Sequence, residues 1–125
     1  MKRTIPLSNL KNTTGIVSYC KECKVPIFIT RNGTAEMVIM DSDFYDEYFS
    51  SYVICGEMDI VKVLEYFPQF MNIKELKNTG EVSKRVAESK QAIQILKNGM
   101  AVLVIMNVAV YNRYRENTLK DLKEK

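Results

Sequence analysis

Two kinds of hydrophobic spacing succeed each other along the chain, and the succession occurs twice. In the first, Leu10, Thr13, Ile16 or Val17, Cys20 and Cys23 recur at three- and four-residue intervals. That period predicts a helix from about Asn9 to Cys23 with one buried face, and Ser8 stands where a hydroxyl could accept from the free amides of its first turn. In the second, Val25–Thr30 is short and carries Ile27 and Ile29 on one side of an extended chain, the pattern of a strand. Asn32-Gly33 supplies two residues that tolerate positive φ, as a type I′ hairpin turn demands, and Ala35–Met40 is the returning strand. Before the helix, Thr4–Leu7 predicts a short edge strand, because Pro6 has no amide to give to a central ladder. After the hairpin, Asp41-Ser42-Asp43 predicts a cap for a second helix, Phe44 to about Val53, with Tyr45 and Tyr48 on one side.

The whole pattern returns 66 residues later without a gap. Leu10-Lys11-Asn12-Thr13 aligns with Leu76-Lys77-Asn78-Thr79, Asn32-Gly33 with Asn98-Gly99, Val38-Ile39-Met40 with Val104-Ile105-Met106, and Tyr45 and Tyr48 with Tyr111 and Tyr114. Over Leu10–Tyr48 roughly two positions in five are identical, the mark of an internal repeat. The second helix face is carried by Leu76, Thr79, Val82, Val86 and Ser89, and its first strand by Ile93 and Ile95. Ala101–Met106 is apolar at every position, which predicts a strand covered on both faces near the centre of a sheet. Ala109–Lys123 predicts the last helix.

Each unit is strand–helix–hairpin–helix, too small to bury a comfortable core alone, and its three strands leave an edge open to pairing. Both difficulties vanish if the units join side by side. The expected fold is therefore α+β: two tandem units, residues 1–53 and 71–125, forming one pseudo-twofold mixed sheet with helices packed against it. Residues 54–70 connect them. Within that stretch, Ile60, Val61, Val63, Leu64 and Phe67 predict a short amphipathic helix ended by Pro68. It either packs to join the units or, through Ile60, Val63, Leu64 and Phe67, docks on a partner protein.

Composition narrows the chemistry. Of 125 residues, 46% are apolar and 26% charged, as in ordinary globular domains. The net charge of +3 is uneven: residues 1–70 hold 7 Lys and Arg against 9 Asp and Glu, residues 71–125 hold 11 against 6. That asymmetry permits a polyanionic partner. Met1-Lys2-Arg3 leads into no long apolar core, and Met100–Met106 is far too short for a membrane span, so a cytoplasmic protein is expected. Cys20 and Cys23 form CxxC, but the repeat replaces them with Val86 and Ser89, and Cys55 stands alone. Reduced packing side chains are expected, with a metal site as the alternative. The cluster Asp41, Asp43, Asp46, Glu47 would cap a helix in water or hold a cation, and its counterparts Asn107, Ala109, Asn112 and Arg113 favour the former. No cofactor is expected. With no His, no Gly-rich phosphate loop and no nucleophile beside an evident base, an enzyme is not expected either.

Repeated basic and amide residues remain. Lys11-Asn12 and Lys77-Asn78, and Arg31-Asn32 and Lys97-Asn98, survive in both units. Lys and Arg at a helix start and a hairpin tip grip phosphates, and Asn pairs with base edges, although Asn32 and Asn98 are also required by their turns. Lys2 and Arg3 form either a basic arm or a free end.

The segments Ile5-Pro6-Leu7-Ser8-Asn9-Leu10-Lys11-Asn12, Pro26-Ile27-Phe28-Ile29-Thr30-Arg31-Asn32-Gly33, Met37-Val38-Ile39-Met40 and Phe44-Tyr45 together resemble the N-terminal domain of Phd/YefM antitoxins. The likeness covers Thr4–Tyr48 almost wholly and Met71–Tyr114 more loosely. It implies an antitoxin of a bacterial toxin–antitoxin system, binding a palindromic operator to repress its operon and neutralising a partner toxin. It also implies that Lys11, the counterpart of the family's basic residue at the first helix start, contacts DNA. The family carries one copy per chain and a longer toxin-binding tail; this chain carries two copies and a short tail. A protein-interaction module that binds a toxin without DNA is the alternative, and further homodimerisation stays open.

Overall fold

A computed structural model describes residues 3–49 and 69–123, with side chains to Arg115. Its first half runs β1 (Arg3–Pro6), a 3-10 turn (Leu7–Lys11), α1 (Thr13–Cys23), β2 (Ile27–Arg31), β3 (Thr34–Asp41) and α2 (Ser42–Tyr48). The second runs β4 (Gln69–Asn72), a 3-10 turn (Ile73–Lys77), α3 (Thr79–Glu88), β5 (Ile93–Lys97), β6 (Met100–Asn107) and α4 (Val108–Lys123). Residues 54–68 of the connecting stretch, Cys55 among them, lie outside the described residues, but Gln69 and Phe70, expected to end that stretch, instead begin β4, and the second helix, expected to reach about Val53, ends at Tyr48.

The strands make one six-stranded mixed sheet in the order β1-β2-β3-β6-β5-β4. Every pairing recurs with the 66-residue shift: Arg3 opposite Ile27 and Gln69 opposite Ile93 in the parallel outer pairs, Ile27 opposite Ile39 and Ile93 opposite Ile105 in the hairpins. Even the register slips coincide, at Ile29/Thr30 and Ile95/Leu96. The two halves meet where β3 runs antiparallel to β6, and there Ile39 faces its own counterpart Ile105, with Met37 opposite Asn107 and Asp41 opposite Leu103. The short strands with prolines or polar ends lie outermost, and the apolar ones lie centrally.

Alternation along these strands divides the core into two layers. Ile27, Ile29, Ile39, Ile93, Ile95 and Ile105 face α1 and α3, where Leu10, Ile16, Cys20, Leu76, Val82 and Val86 complete one cluster. Phe28, Val38, Met40, Val104 and Met106 face α2 and α4 and pack with Tyr45, Phe49, Val110, Tyr111 and Tyr114. The second layer is knitted across the halves by rings: Tyr111 meets Phe28 edge-on at 5.4 Å and Phe49 at 6.1 Å. Tyr48, expected to cover the core on the same side of the helix as Tyr45, does not. It is 48% exposed and lies 4.7 Å from Phe44, because a seven-residue helix keeps only Ser42 and Tyr45 on its inner face. Burial raises the pKa of the Tyr45 and Tyr111 hydroxyls and pushes the Cys20 thiol up to about 12.

Both hairpins turn as expected, with Asn32 and Gly33 at φ 52 and 79 and Asn98 and Gly99 at φ 53 and 78. The first helix needs correction. It does not run from Asn9 under a Ser8 cap. A 3-10 turn ends at Lys11, and Asn12 then starts α1 by accepting from the Gly15 amide at 3.1 Å. Asn78 does the same for α3, accepting from Glu81. The Asn12 side chain, four residues on, competes with the Ser hydroxyl and takes the helix start. The expected Asp41-Ser42-Asp43 cap is also absent in detail: Asp41 makes no side-chain cap bond, and the Ser42 hydroxyl donates to the Ala101 carbonyl across the sheet.

Candidate nucleic-acid interface

Leu10 and Leu76 are fully buried and pin the two 3-10 turns onto the sheet face beneath α1 and α3. Each turn thereby presents its next residue, Lys11 or Lys77, to solvent. The turns touch each other across the middle of the molecule, and each also packs against the opposite half's helix. Lys11 and Lys77 are thus brought to one face near its midline. Asn12 and Asn78 lie beside them, but their carbonyl oxygens are committed to capping, which leaves only the amide donors for a ligand.

The first-half turn borders a groove of ≈ 560 Å³ lined by Ser8, Asn9, Lys11, Asn12 and Tyr19. Arg3 is exposed on the outermost strand, and its interaction with the Tyr19 side chain, which lines the same groove, favours its charged form. Lys2 lies outside the described residues, as do Ile60, Val63, Leu64 and Phe67. The matching surface of the second half carries Lys74, Lys77 and Arg85, together with Glu75 and Glu81. There Glu75 is engaged twice: its carboxylate accepts from the Asn72 amide at 2.6 Å and pairs with Arg85 at 3.7 Å. Arg85 also donates to the Phe70 carbonyl.

Arg31 and Lys97 are not part of this midline group. Since Ile39 faces Ile105 and β6 runs opposite to β3, the two hairpin tips lie at opposite ends of the sheet. They are about 12 residues, roughly 40 Å, apart along the strands.

Three polar links went unforeseen. The reciprocal box between Asn72 and Glu75 was visible as Asn-x-x-Glu spacing. The Ser83 hydroxyl donates to Glu36 at 3.0 Å between halves, where the opposite pair is Val17 and Val102 within the core. Asn107 donates to the Val86 and Ser89 carbonyls at 3.0 and 2.8 Å and accepts from the Val110 amide, tying the end of α3 to the start of α4. The Ser83–Glu36 bond and the bonds from Asn107 to the end of α3 depend on tertiary pairing and leave no local signal, whereas the Asn107 cap on Val110 is local.

No helix among the described residues is long and apolar enough to cross a membrane. The fold and surface define an α+β protein with a repeated basic turn on one sheet face. Searches against protein-family models, curated proteins and solved structures each return no match.

Proposed function

We propose that the chain is an antitoxin-like DNA-binding protein of Phd/YefM type, a fused pair that acts in the cytoplasm as its own dimer. In this reading one polypeptide supplies both halves of a pseudo-twofold reader of a palindromic operator, represses its operon, and neutralises a partner toxin. It assigns no catalytic step and no cofactor. The observation that carries it is the placement of Lys11 and Lys77 on adjoining turns of one face, within a strand register that is the same read from either half. Such an arrangement suits an inverted repeat, since half-site spacing mirrors protein symmetry. The hairpin tips, roughly 40 Å apart, match the scale of one duplex turn, about 34–36 Å.

The test is fluorescence anisotropy with a labelled duplex from the region upstream of the coding sequence, repeated over a range of salt. DNA binding should weaken with a log–log slope of about −0.9 per phosphate contact. The double variant Lys11→Ala, Lys77→Ala should lose operator binding with its circular dichroism unchanged. Undiminished affinity in that variant removes these lysines as the interface. Absence of any salt-dependent binding by the parent protein favours the alternative, a toxin-binding module without DNA.

A further inference from the structure

The two adjoining turns differ in what they hold out to solvent. A 3-10 helix repeats every three residues, so side chains three apart fall in one row. Leu7 with Leu10, and Ile73 with Leu76, form the rows packed against the core. Two outward rows remain in each half. The first half presents Ser8 with Lys11 and Asn9 with Asn12; the second presents Lys74 with Lys77 and Glu75 with Asn78, all of them exposed.

The neutral groups of the two halves are not equally available. Asn12 and Asn78 both spend their side-chain carbonyl oxygens on helix caps. Asn9 keeps its side-chain oxygen and its amide donors free among the described residues, and with Ser8 it borders the groove of ≈ 560 Å³. Its counterpart Glu75 accepts from the Asn72 amide and pairs with Arg85, and Arg85 stands in place of the groove residue Tyr19. The Asn72 side chain is occupied too, accepting from the Lys74 amide. Glu81, in the first turn of α3, replaces the groove residue Gly15, and a carboxylate in that turn repels a phosphate approaching the helix amides. On its turn the second half therefore leaves only the ammonium pair, Lys74 and Lys77, for a ligand.

These rows suit different parts of a duplex. A side-chain amide donates and accepts at once, which matches an adenine edge bidentately, and a hydroxyl pairs with donors or acceptors alike. Ammonium groups hold backbone phosphates, which carry no sequence. We propose, resting on the DNA-binding reading above, that the halves divide the work: the first reads base edges through Asn9, assisted by Ser8, and the second anchors on the backbone through Lys74 and Lys77. The operator keeps its twofold spacing, but only one arm is held to a sequence. A fused chain can make that division; a symmetric dimer, whose two turns are identical, cannot.

The test is selection of bound duplexes from a randomised library by the full-length chain, followed by anisotropy on the selected sequence over a range of salt. Sequencing should show one arm with defined bases, an adenine among them at the Asn9 contact, and an opposite arm close to random. Asn9→Ala should lower the preference for that adenine by roughly 5- to 150-fold and leave the salt slope unchanged. Lys74→Ala should weaken binding to every sequence alike and reduce the log–log slope by about 0.9. Salt-dependent binding with two equally defined arms or none overturns the division while DNA binding stands. Full base preference in Asn9→Ala, or an unchanged slope in Lys74→Ala, does the same. Neither salt-dependent binding nor enrichment of any sequence removes the DNA reading and this division with it.

Discussion

If the sheet is built from equivalent halves, a truncation on one side of the midline should be felt as strongly as its counterpart on the other. Ile39 and Ile105 face each other across the β3–β6 pair, both are fully buried, and both point into the layer under α1 and α3. Ile→Ala removes three carbons, worth about 2.4 kcal/mol at roughly 0.8 each. A residual void of about 50 Å³ adds about 1.2 kcal/mol. Ile39→Ala and Ile105→Ala should therefore each cost about 3.5 kcal/mol. A chain of this length is stabilised by roughly 6–15 kcal/mol, so each single variant stays folded. With a urea slope of about 1.5 kcal/mol/M, each midpoint falls by about 2 M. The two losses should agree within about 0.7 kcal/mol; the margin reflects the Ser83–Glu36 bond on one side and Val17 and Val102 on the other. Because the two side chains are direct neighbours, the double variant should fall short of the sum by roughly 0.5–1 kcal/mol. Urea unfolding followed by circular dichroism measures all three. Single losses that differ by more than 1.5 kcal/mol, or strict additivity, would show that the midline is not shared equally.

Two other outcomes are expected. The Cys20 thiol, raised by burial to about 12 against an ordinary value near 9, favours the folded state below pH 9, and that stability is lost as pH rises through 12. The loss is about 4 kcal/mol at most, the buried Tyr45 and Tyr111 act with the same sign, and Cys20→Val, which copies Val86, should flatten thermal melts recorded between pH 9 and 11. Asp41→Asn should raise stability by about 1 kcal/mol, roughly 4 °C in Tm, because the amide regains the donors that Asn107 uses in the other half; an unchanged or lowered Tm in calorimetry would refute that.

Much of the architecture was legible one residue at a time. Asn32-Gly33 and Asn98-Gly99 allow few geometries other than a tight hairpin, so the turns and the strands beside them followed from local chemistry. The unbroken apolar run Ala101–Met106 announced a central strand. Pro6 announced an edge. The helix starts were misjudged because Ser8 and Asn12 are both competent caps, and local sequence does not rank them; fully buried Leu10 decides by holding the turn against the sheet. Tyr45 and Tyr48 look alike in sequence, yet of the two only Tyr45 is buried in the ring-lined layer.

The candidate site was legible only as a set of residue types. Lys11 and Lys77 could be singled out because they recur, but their meeting on one face depends on Ile39 finding Ile105, a pairing between strands far apart in the chain. Arg31 and Lys97 recur equally well and end at opposite ends of the sheet.

By itself, then, the sequence determined the repeat, the turns and which strand faces are apolar, since each depends on neighbours within a few positions. The tertiary structure alone decided which strands met at the midline and which basic residues share a surface. Those depend on contacts across dozens of residues, where side-chain packing and hydrogen-bond satisfaction choose among arrangements that local preferences leave equally open.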